Sequence, residues 1–412
     1  MIDPIRPSPC TIGRIHGIQV SQVLIAVHIV LMTSTIGSRI FLGNFIAKSS
    51  GGFGDVGIYY LALFIAQTGV YVLTARRCKE HSFLPFFRAS FLLHMIFYYV
   101  LYRLQSEMVN YLVPLALCHG IAGGLYWLPF TQYLVDFNKP RRRARFFFYM
   151  SLVGQGCGIV IPISFGWMIT TYHSYAPVFL TLSALFGVGF LISLGALKPN
   201  PGPRATFSLT AIVSAARQHV DVRHALFAVF LIGLTLWGAM EQLTPLLVFH
   251  AAGSEFKLGM IASLLPLLEI ASSASAGHLN QRYHGRMAIV CSSIIFLGIL
   301  NFVDAPALPT IILYACAVSL GAPALSIIMN TLGINVLHNH ADLHLRQTEY
   351  LVLRELCLGS SRVISYGALF LVSYLSADTL PLRVLLVSLG VAVLACGLYL
   401  QRIEIREEKE TL

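Results

Sequence analysis

The sequence predicts an all-α polytopic membrane protein with twelve transmembrane helices in two six-helix bundles. Of its 412 residues, 56% are hydrophobic and only 11% are charged, whereas a soluble domain carries about 25% charged residues. The apolar residues occur in runs of about 18–25, the length at which a helix crosses ~30 Å of hydrocarbon. Lysine and arginine are also distributed unequally between the predicted loops, as expected for a protein that is inserted with one orientation.

The apolar runs predict the individual helices and the organisation of the chain. The predicted spans are 19–45, 57–75, 86–104, 109–134, 146–171, 176–197, 223–250, 256–277, 286–303, 307–335, 350–376 and 381–401. They give a tail (1–18), an N-terminal bundle (19–197), a linker (198–222), a C-terminal bundle (223–401) and a second tail (402–412). The linker is polar and Pro-rich at its start, which is typical of a domain boundary. Two halves of six helices suggest an internal duplication, although no residue-level repeat is evident.

The charge distribution predicts which side each loop faces. With the N-terminus inside, 22 of the 28 Lys and Arg residues lie in cytoplasmic segments and 4 in outer segments, while Arg39 and Arg362 lie within helices. This asymmetry favours cytoplasmic termini and explains the net charge of +10 without nucleic acid. We expect the protein to be located in the bacterial inner membrane.

The eight cysteines are scattered without a CxxC pair, so no cofactor or metal centre is predicted.

Two predicted inner loops carry related basic stretches, "LTARRCKEH" after helix two and "GHLNQRYHGR" after helix eight. Together with the six-plus-six layout they make the chain resemble the major facilitator superfamily over essentially its whole length. Ala75 and Gln281 occupy the position of the acid in that family's loop pattern. The resemblance implies that the basic loops hold one conformation and release it during transport, with Asp136 as a replacement acid for Arg76 or Arg77. The residues concerned are Arg76, Arg77, Lys79, Asp136, Gly277, Arg282 and Arg286. Alternatively, the arginines only determine topology.

Helix five contains small residues at every fourth position. Gly154, Gly158, Pro162 and Gly166 lie along "GQGCGIVIPISFGWMI", and such a stripe lets a neighbouring backbone approach closely. The pattern is similar to the glycine–proline motif in helix five of the family's exporters, without the adjacent Gly-Pro pair. It favours efflux, and generic helix packing is the alternative.

Four charged residues lie within predicted membrane helices, where charges mark functional sites by default. Arg39 and Glu241 are in the outer halves of helices one and seven, which hold equivalent positions in the two halves. We expect them to face each other across the pathway as a gate. Glu269 and Arg362 could form a second pair, or Glu269 could carry a proton. The alternative for either pair is a static interhelical contact.

Further candidates are polar or aromatic residues of the predicted helices. His119 could relay protons, although a lone buried histidine usually serves packing, and Tyr126, Trp237 and Gln242 could contact a substrate. The stretch "LHNHADLH" places its three histidines and Asp342 at alternate positions. In an extended loop these could bind a divalent metal, but a solvated loop is the preferred interpretation, so no metal site is predicted.

The leading functional hypothesis is a secondary transporter that works by alternating access and exports a small amphipathic molecule in exchange for protons. The alternatives are uptake or efflux of a sugar, organic anion or other metabolite, and a non-transporting sensor or assembly factor on the same fold. A Walker A motif is absent, as are HExxH and GxSxG, so ATP coupling and enzymatic activity are not expected. The expected partners are the substrate, protons and membrane lipid, with no nucleic acid, and the expected state is a monomer.

Overall fold

A computed structural model describes residues 14–15, 18–80, 84–135, 140–196, 207–279, 283–304, 307–340, 343, 346–375 and 379–411. The described chain is almost entirely helical. A minimal antiparallel hairpin, β1 (Arg14–Ile15) and β2 (Ile18–Gln19), precedes the first helix. The N-terminal half comprises α1 (Val20–Gly37), a π-helical turn (Ser38–Leu42), α2 (Gly43–Ser50), α3 (Phe53–Glu80), α4 (Leu84–Leu104), a 3₁₀ segment (Gln105–Tyr111), α5 (Leu112–Val135), α6 (Pro140–Tyr172) and α7 (Ala176–Ala196).

The C-terminal half follows a short connecting helix. The connecting helix is α8 (Leu209–Gln218), and the C-terminal half comprises α9 (Val220–Leu234), α10 (Ala239–Ala252), α11 (Glu255–His278), α12 (His284–Asp304), α13 (Leu308–Asn339), α14 (Gln347–Leu375) and α15 (Thr379–Thr411). Eleven helical segments of the described chain are long and apolar enough to span a membrane. The 48-residue segment Leu84–Thr131 contains both α4 and α5, so the total is consistent with twelve crossings. The orientation of the termini stays a prediction.

The two halves repeat the same pattern of helix neighbours. In the N-terminal half α3 packs on α5, α4 on α7, and α1 on α6. The corresponding helices of the C-terminal half do the same, with α11 on α13, α12 on α15, and α9 on α14. The halves meet along two long contacts, α3 with α14 and α6 with α11. In each contact the second helix of one half packs on the fifth helix of the other half, as expected for two related repeats.

Two predicted helices are interrupted, which the hydropathy pattern did not indicate. The first contains the π-helical turn Ser38–Leu42, and the seventh is broken into α9 and α10 at residues 235–238. Both interruptions lie where a charged residue was predicted to face the pathway. A π-turn is common at functional sites, and non-helical backbone within a membrane requires protein partners for its polar groups.

The predicted linker is not entirely irregular, because it contains α8. Ser208 accepts a hydrogen bond from the Ala211 amide at the start of this helix, a typical N-cap. Ile212, Ala215 and Ala216 are buried, so the helix packs one apolar face on the C-terminal half. The polar and Pro-rich start of the linker obscured this short amphipathic segment. The domain boundaries stay predictions.

Candidate functional site

Side chains of α14 satisfy the backbone where the seventh crossing is broken. Arg362 Nε donates to the Trp237 carbonyl at 2.9 Å, the Tyr366 hydroxyl donates to the Gly238 carbonyl at 3.0 Å, and the Ala239 amide donates to Ser365 Oγ at 2.9 Å. Ser365 and Tyr366 lie three and four positions after Arg362, so these side chains lie on one side of α14. The α14 side chains therefore replace hydrogen bonds that the backbone lacks at the break, and they stabilise this conformation.

This arrangement corrects the expected pair of Glu269 and Arg362. The Arg362 guanidinium binds the broken backbone and lies 4.7 Å from the centre of the Phe64 ring in α3. It thus contacts both halves, whereas Glu269 lines a different cavity. The prediction compared depths along two helices, and depth alone does not fix which faces of those helices meet.

Arg39 and Glu241 are brought together, with Arg39 Nη1 3.9 Å from Glu241 Oε1. Arg39 lies in the π-helical turn, where the buried Asn44 side chain donates to the Ile40 carbonyl. Glu241 lies in the first turn of α10, where the positive end of a helix dipole favours a carboxylate. The two side chains are 40% and 26% exposed, so water or a substrate can reach the pair.

A polar cavity of about 440 Å³ lies on one side of this pair, between the two halves. Its walls carry three guanidinium groups, two carboxylates, two amides and two imidazoles. These are Arg39, Arg354, Arg362, Glu241, Glu355, Gln67, Gln242, His94 and His119. Oε1 of Gln242 and Oε1 of Glu355 are buried and have no hydrogen-bond partner among the described residues. Buried acceptors are normally paired, so these two are suited to donors of a bound molecule.

A second, mainly apolar cavity of about 320 Å³ also borders the pair. Side chains of α10, α11 and α13 form most of its wall, with Gly158 contributed by α6. Arg39, Trp237 and Glu241 line both cavities, so the ion pair stands at their junction. Glu269 is a second carboxylate, besides Glu241, that lines the apolar cavity. The Arg39–Glu241 pair therefore borders two chemically different compartments, and its role as a gate stays a prediction.

Glu355 was missed as a cavity residue because its position near a predicted helix end favoured a structural role. The structure buries it, leaving 8% of its surface exposed, beside the polar cavity. The only sequence signal was a second acid after Glu349 at the start of the predicted helix eleven. Helix periodicity alone could not have placed Glu355 on the inner face of α14.

Besides Arg39, two predicted pathway residues lie in the N-terminal half. His119 lines the polar cavity and is hydrogen-bonded through Nδ1 to the Tyr59 hydroxyl at 2.9 Å. Tyr126 is fully buried, its hydroxyl lies 3.1 Å from His28 Nδ1, and its ring stacks on Phe130. Tyr126 is thus part of the interior of its half and is not among the residues that line either cavity.

Ion pairs join the halves at both ends of the molecule. At the predicted cytoplasmic end, Lys79 Nζ of α3 donates to Glu349 Oε1 of α14 at 2.6 Å, with side-chain exposures of 4% and 0%. The Ser208 amide donates to the same oxygen at 3.2 Å. At the opposite end, Lys48 Nζ of α2 lies 2.8 Å from Glu255 Oε1 of α11. Both pairs connect residues that are distant in sequence.

The outer pair includes a tyrosine. Tyr175 donates its hydroxyl hydrogen to Glu255 Oε1 at 3.1 Å. Burial, together with the Glu255 carboxylate, raises the pKa of the Tyr175 hydroxyl, so the group stays protonated and continues to donate. The Lys48 side chain is 57% exposed, which makes the outer pair weaker than the buried inner pair.

The predicted switch loops are shorter than expected because helices extend into them. Arg76, Arg77 and Lys79 lie in the last turns of α3, where Arg76 pairs with Glu80 at 3.1 Å. That i,i+4 pair supports continuation of the helix. At the corresponding turn of the C-terminal half, Gly277 lies in the last turn of α11 and Arg286 in the first turns of α12. Asp136 and Arg282 lie outside the described residues.

The small residues of helix five face α11. A Cβ on Gly158 would lie 2.9 Å from Pro266, and one on Gly166 would lie 2.6 Å from the Glu255 carbonyl oxygen. The Pro162 carbonyl lies against Gly259. Nothing lies within 4 Å of a Cβ on Gly154, so only part of the stripe is at the contact between the halves.

The histidine-rich stretch is not an extended loop throughout. Helix α13 continues to Asn339, so His338 lies in its last turn, and His340 follows with an extended backbone. Asp342 and His344 lie outside the described residues. The alternative of an extended loop with its ligands on one face therefore does not apply from His338, and the solvated loop stays the preferred prediction.

Comparisons with known proteins agree with this architecture. A family model described as the Major Facilitator Superfamily matches residues 23–348. The uncharacterized protein YqgE of Bacillus subtilis (strain 168) is 23% identical over 359 residues, which cover 86% of this chain and 83% of that protein. An uncharacterized protein of Geobacillus stearothermophilus, encoded in the sodM 3′ region, is 25% identical over 151 residues, covering 36% and 71% of the two chains.

Solved structures share the fold at low sequence identity. A POT family transporter in complex with a thioalcohol-conjugated peptide superposes with a TM-score of 0.68 at 13% identity, covering 96% of this chain and 98% of that one. A bacterial homologue of the iron transporter ferroportin, in an inward-facing state, gives a TM-score of 0.66 at 13% identity, covering 93% and 98%. At this identity the similarity concerns the fold and carries no information on substrate.

Proposed function

The chain belongs to the major facilitator superfamily, whose members are integral membrane transporters and not enzymes, and we propose that it carries a small amphipathic molecule by alternating access. The observation that supports this proposal is the junction of a polar and an apolar cavity at the Arg39–Glu241 pair. A molecule with a polar end and an apolar end matches both compartments at once.

The polar cavity favours a substrate with an anionic or strongly polar end. Arg39, Arg354 and Arg362 bring three positive charges to its wall. The carboxylates Glu241 and Glu355 bring two negative charges, so positive charge is in excess. An arginine presents several donors in a planar fork that suits carboxylate and phosphate groups. An anionic end that approaches Arg39 would compete with Glu241, which couples substrate binding to separation of the pair. The proposed substrate is therefore an amphipathic molecule with an anionic end. An organic anion without an apolar part is the second candidate.

Proton coupling is the driving force that the site supports best. Glu355 is a buried carboxylate of the polar cavity, and one of its oxygens has no hydrogen-bond partner in the part of the chain that the structure describes. Its helix α14 packs along α3 of the other half. A buried carboxylate can be either protonated or paired with a neighbouring guanidinium. A change between these two states would couple substrate binding to the contact between the halves. Glu269 is the second candidate for this role.

Export is the proposed direction, and a bacterial inner membrane is the proposed location. The small-residue contact between α6 and α11 supports export through its similarity to the exporter motif. We further propose that the functional unit is a monomer in contact with membrane lipid, since residues of a single chain line both cavities.

The test is transport by the purified protein in proteoliposomes with an imposed proton gradient and a panel of radiolabelled amphipathic anions, neutral amphiphiles and sugars. Wild type should move at least one amphipathic anion with a matching proton flux. Arg39→Gln and Glu241→Gln should each lower the rate roughly tenfold or more, because each leaves a charge without its partner within a membrane-spanning segment. Lys257→Gln, which removes an exposed cation outside both cavities, should retain the wild-type rate.

Several outcomes contradict the proposal. Flux restricted to sugars would exclude an amphipathic anion as the substrate. Absence of any substrate-linked flux in a protein that still binds members of the panel would favour a sensor or assembly factor. Equal rates for wild type, Arg39→Gln and Glu241→Gln would show that the ion pair has no part in transport.

A further inference from the structure

A group of metal-ligating side chains lies outside both cavities, at the predicted cytoplasmic end of the C-terminal half. His219 is the residue between α8 and α9, Asp221 lies in the first turn of α9, and His340 follows α13. One ligand atom from each lies within 4.8 Å of the others. His340 Nε2 is 2.7 Å from Asp221 Oδ2, and the two imidazole rings have centroids 3.9 Å apart.

The chemistry of this set points to a transition metal. Two imidazole nitrogens and one carboxylate oxygen are the ligands of three-residue zinc sites, which leave a fourth position for water or another ligand. Mg²⁺ and Ca²⁺ prefer oxygen ligands throughout, so they fit this set poorly. All three residues are partly exposed, which leaves a route for an ion from the solvent.

We propose that His219, Asp221 and His340 form a binding site for a divalent transition metal of the zinc class. The ion would replace the direct His340–Asp221 contact with bonds from both residues. None of the three lines the polar or the apolar cavity, so the site is separate from the transport pathway, and the ion is a regulatory or structural ligand.

The position of the site gives it a connection to the inner ion pair. The α8 helix runs from Ser208, whose amide binds Glu349, to His219 at the proposed metal site. Between these ends, Ile212 packs in one buried cluster with Val336 of α13 and Tyr350 of α14. A metal ion that ties His219 and Asp221 to His340 would therefore fix α8 and favour the conformation in which Lys79 and Glu349 are paired.

The test uses the full-length protein, purified without a polyhistidine tag and titrated with Co²⁺ as a spectroscopic probe for zinc. Wild type should bind one Co²⁺ per chain with the visible absorption of a four- or five-coordinate ion, and Zn²⁺ should displace it. His340→Ala and Asp221→Asn should each weaken binding roughly tenfold or more, the minimum expected for loss of a ligand. His278→Ala removes an exposed histidine at the same predicted end and should leave the affinity unchanged.

A ligand exchange keeps the proposal testable if an alanine variant folds poorly. His340→Cys should retain Co²⁺ and add a thiolate-to-cobalt charge-transfer band that wild type lacks. Unchanged affinity in His340→Ala, or a His340→Cys spectrum identical to that of wild type, would overturn the assignment. Because the readout is metal binding, the result is independent of whether the proposed substrate is correct.

Discussion

Individual charges within the membrane segments have different physical explanations. Arg362 compensates broken backbone through its bond to the Trp237 carbonyl, whereas Glu241 occupies the first turn of α10, where the helix dipole favours an acid. Arg39 supplies an opposite charge 3.9 Å away. Glu355 differs from these, because one of its buried oxygens has no partner among the described residues. Glu355 is therefore the best residue at which to test the coupling of substrate transport to proton movement.

Glu355→Gln should separate substrate movement from proton movement. The amide keeps the shape of the side chain and resembles a permanently protonated acid, so the cycle loses its exchangeable proton at this site. We expect exchange of substrate across the membrane without a gradient to continue, while accumulation driven by a proton gradient is lost. The measurement is the ratio of counterflow to gradient-driven flux in proteoliposomes.

Glu269→Gln is the matched control, since Glu269 is a carboxylate of the neighbouring apolar cavity. It should preserve gradient-driven accumulation if Glu355 is the coupling residue. Loss of accumulation in Glu269→Gln, with normal accumulation in Glu355→Gln, would transfer the role to Glu269.

At the scale of elements, the sequence predicts the number and length of the helices better than their interruptions. Continuous hydropathy from Leu231 to Phe249 indicates a spanning segment, but it cannot show that Ser365 and Tyr366 bind the backbone at its centre. The contact of Arg39 with Glu241 could be predicted because helices one and seven hold equivalent positions beside the pathway in addition to the matching depths. The Lys79–Glu349 pair could not be predicted in this way, because it depends on which faces of α3 and α14 meet.

The contact between α6 and α11 provides an element-scale prediction. Gly166→Ala should disturb it, because the added methyl group would lie 2.6 Å from the Glu255 carbonyl oxygen, and overpacking of this kind costs about 1–3 kcal/mol. Gly154→Ala lies on the same stripe and meets nothing within 4 Å, so it should be neutral. Thermal unfolding in detergent, followed by tryptophan fluorescence, measures the difference. Equal melting temperatures for the two variants would show that α6 and α11 are not in contact at Gly166 in the purified protein.

For the whole molecule, the two end pairs define the movement that alternating access requires. Lys79–Glu349 closes the predicted inner end and Lys48–Glu255 bridges the opposite end, and each pair joins one half to the other. The inner pair is shielded from water, and Glu349 also accepts a hydrogen bond from the Ser208 amide, whereas an exposed pair contributes little. The inner end is therefore the more firmly closed in this conformation, and a complete cycle requires each end to open in turn.

Cross-linking of either end should therefore stop transport. We expect a reversible thiol-specific linker to block flux when it joins Lys79→Cys to Glu349→Cys, or Lys48→Cys to Glu255→Cys, and reduction should restore it. The inner variant needs Cys78→Ala as its background, because that cysteine adjoins position 79. Thr210→Cys with Ser214→Cys is the control, since these exposed positions are four residues apart within α8 alone and a link between them leaves the halves free to move. Full transport by protein that is completely cross-linked at one end would mean that this end does not open during the cycle, and rigid-body movement of the two halves would be excluded.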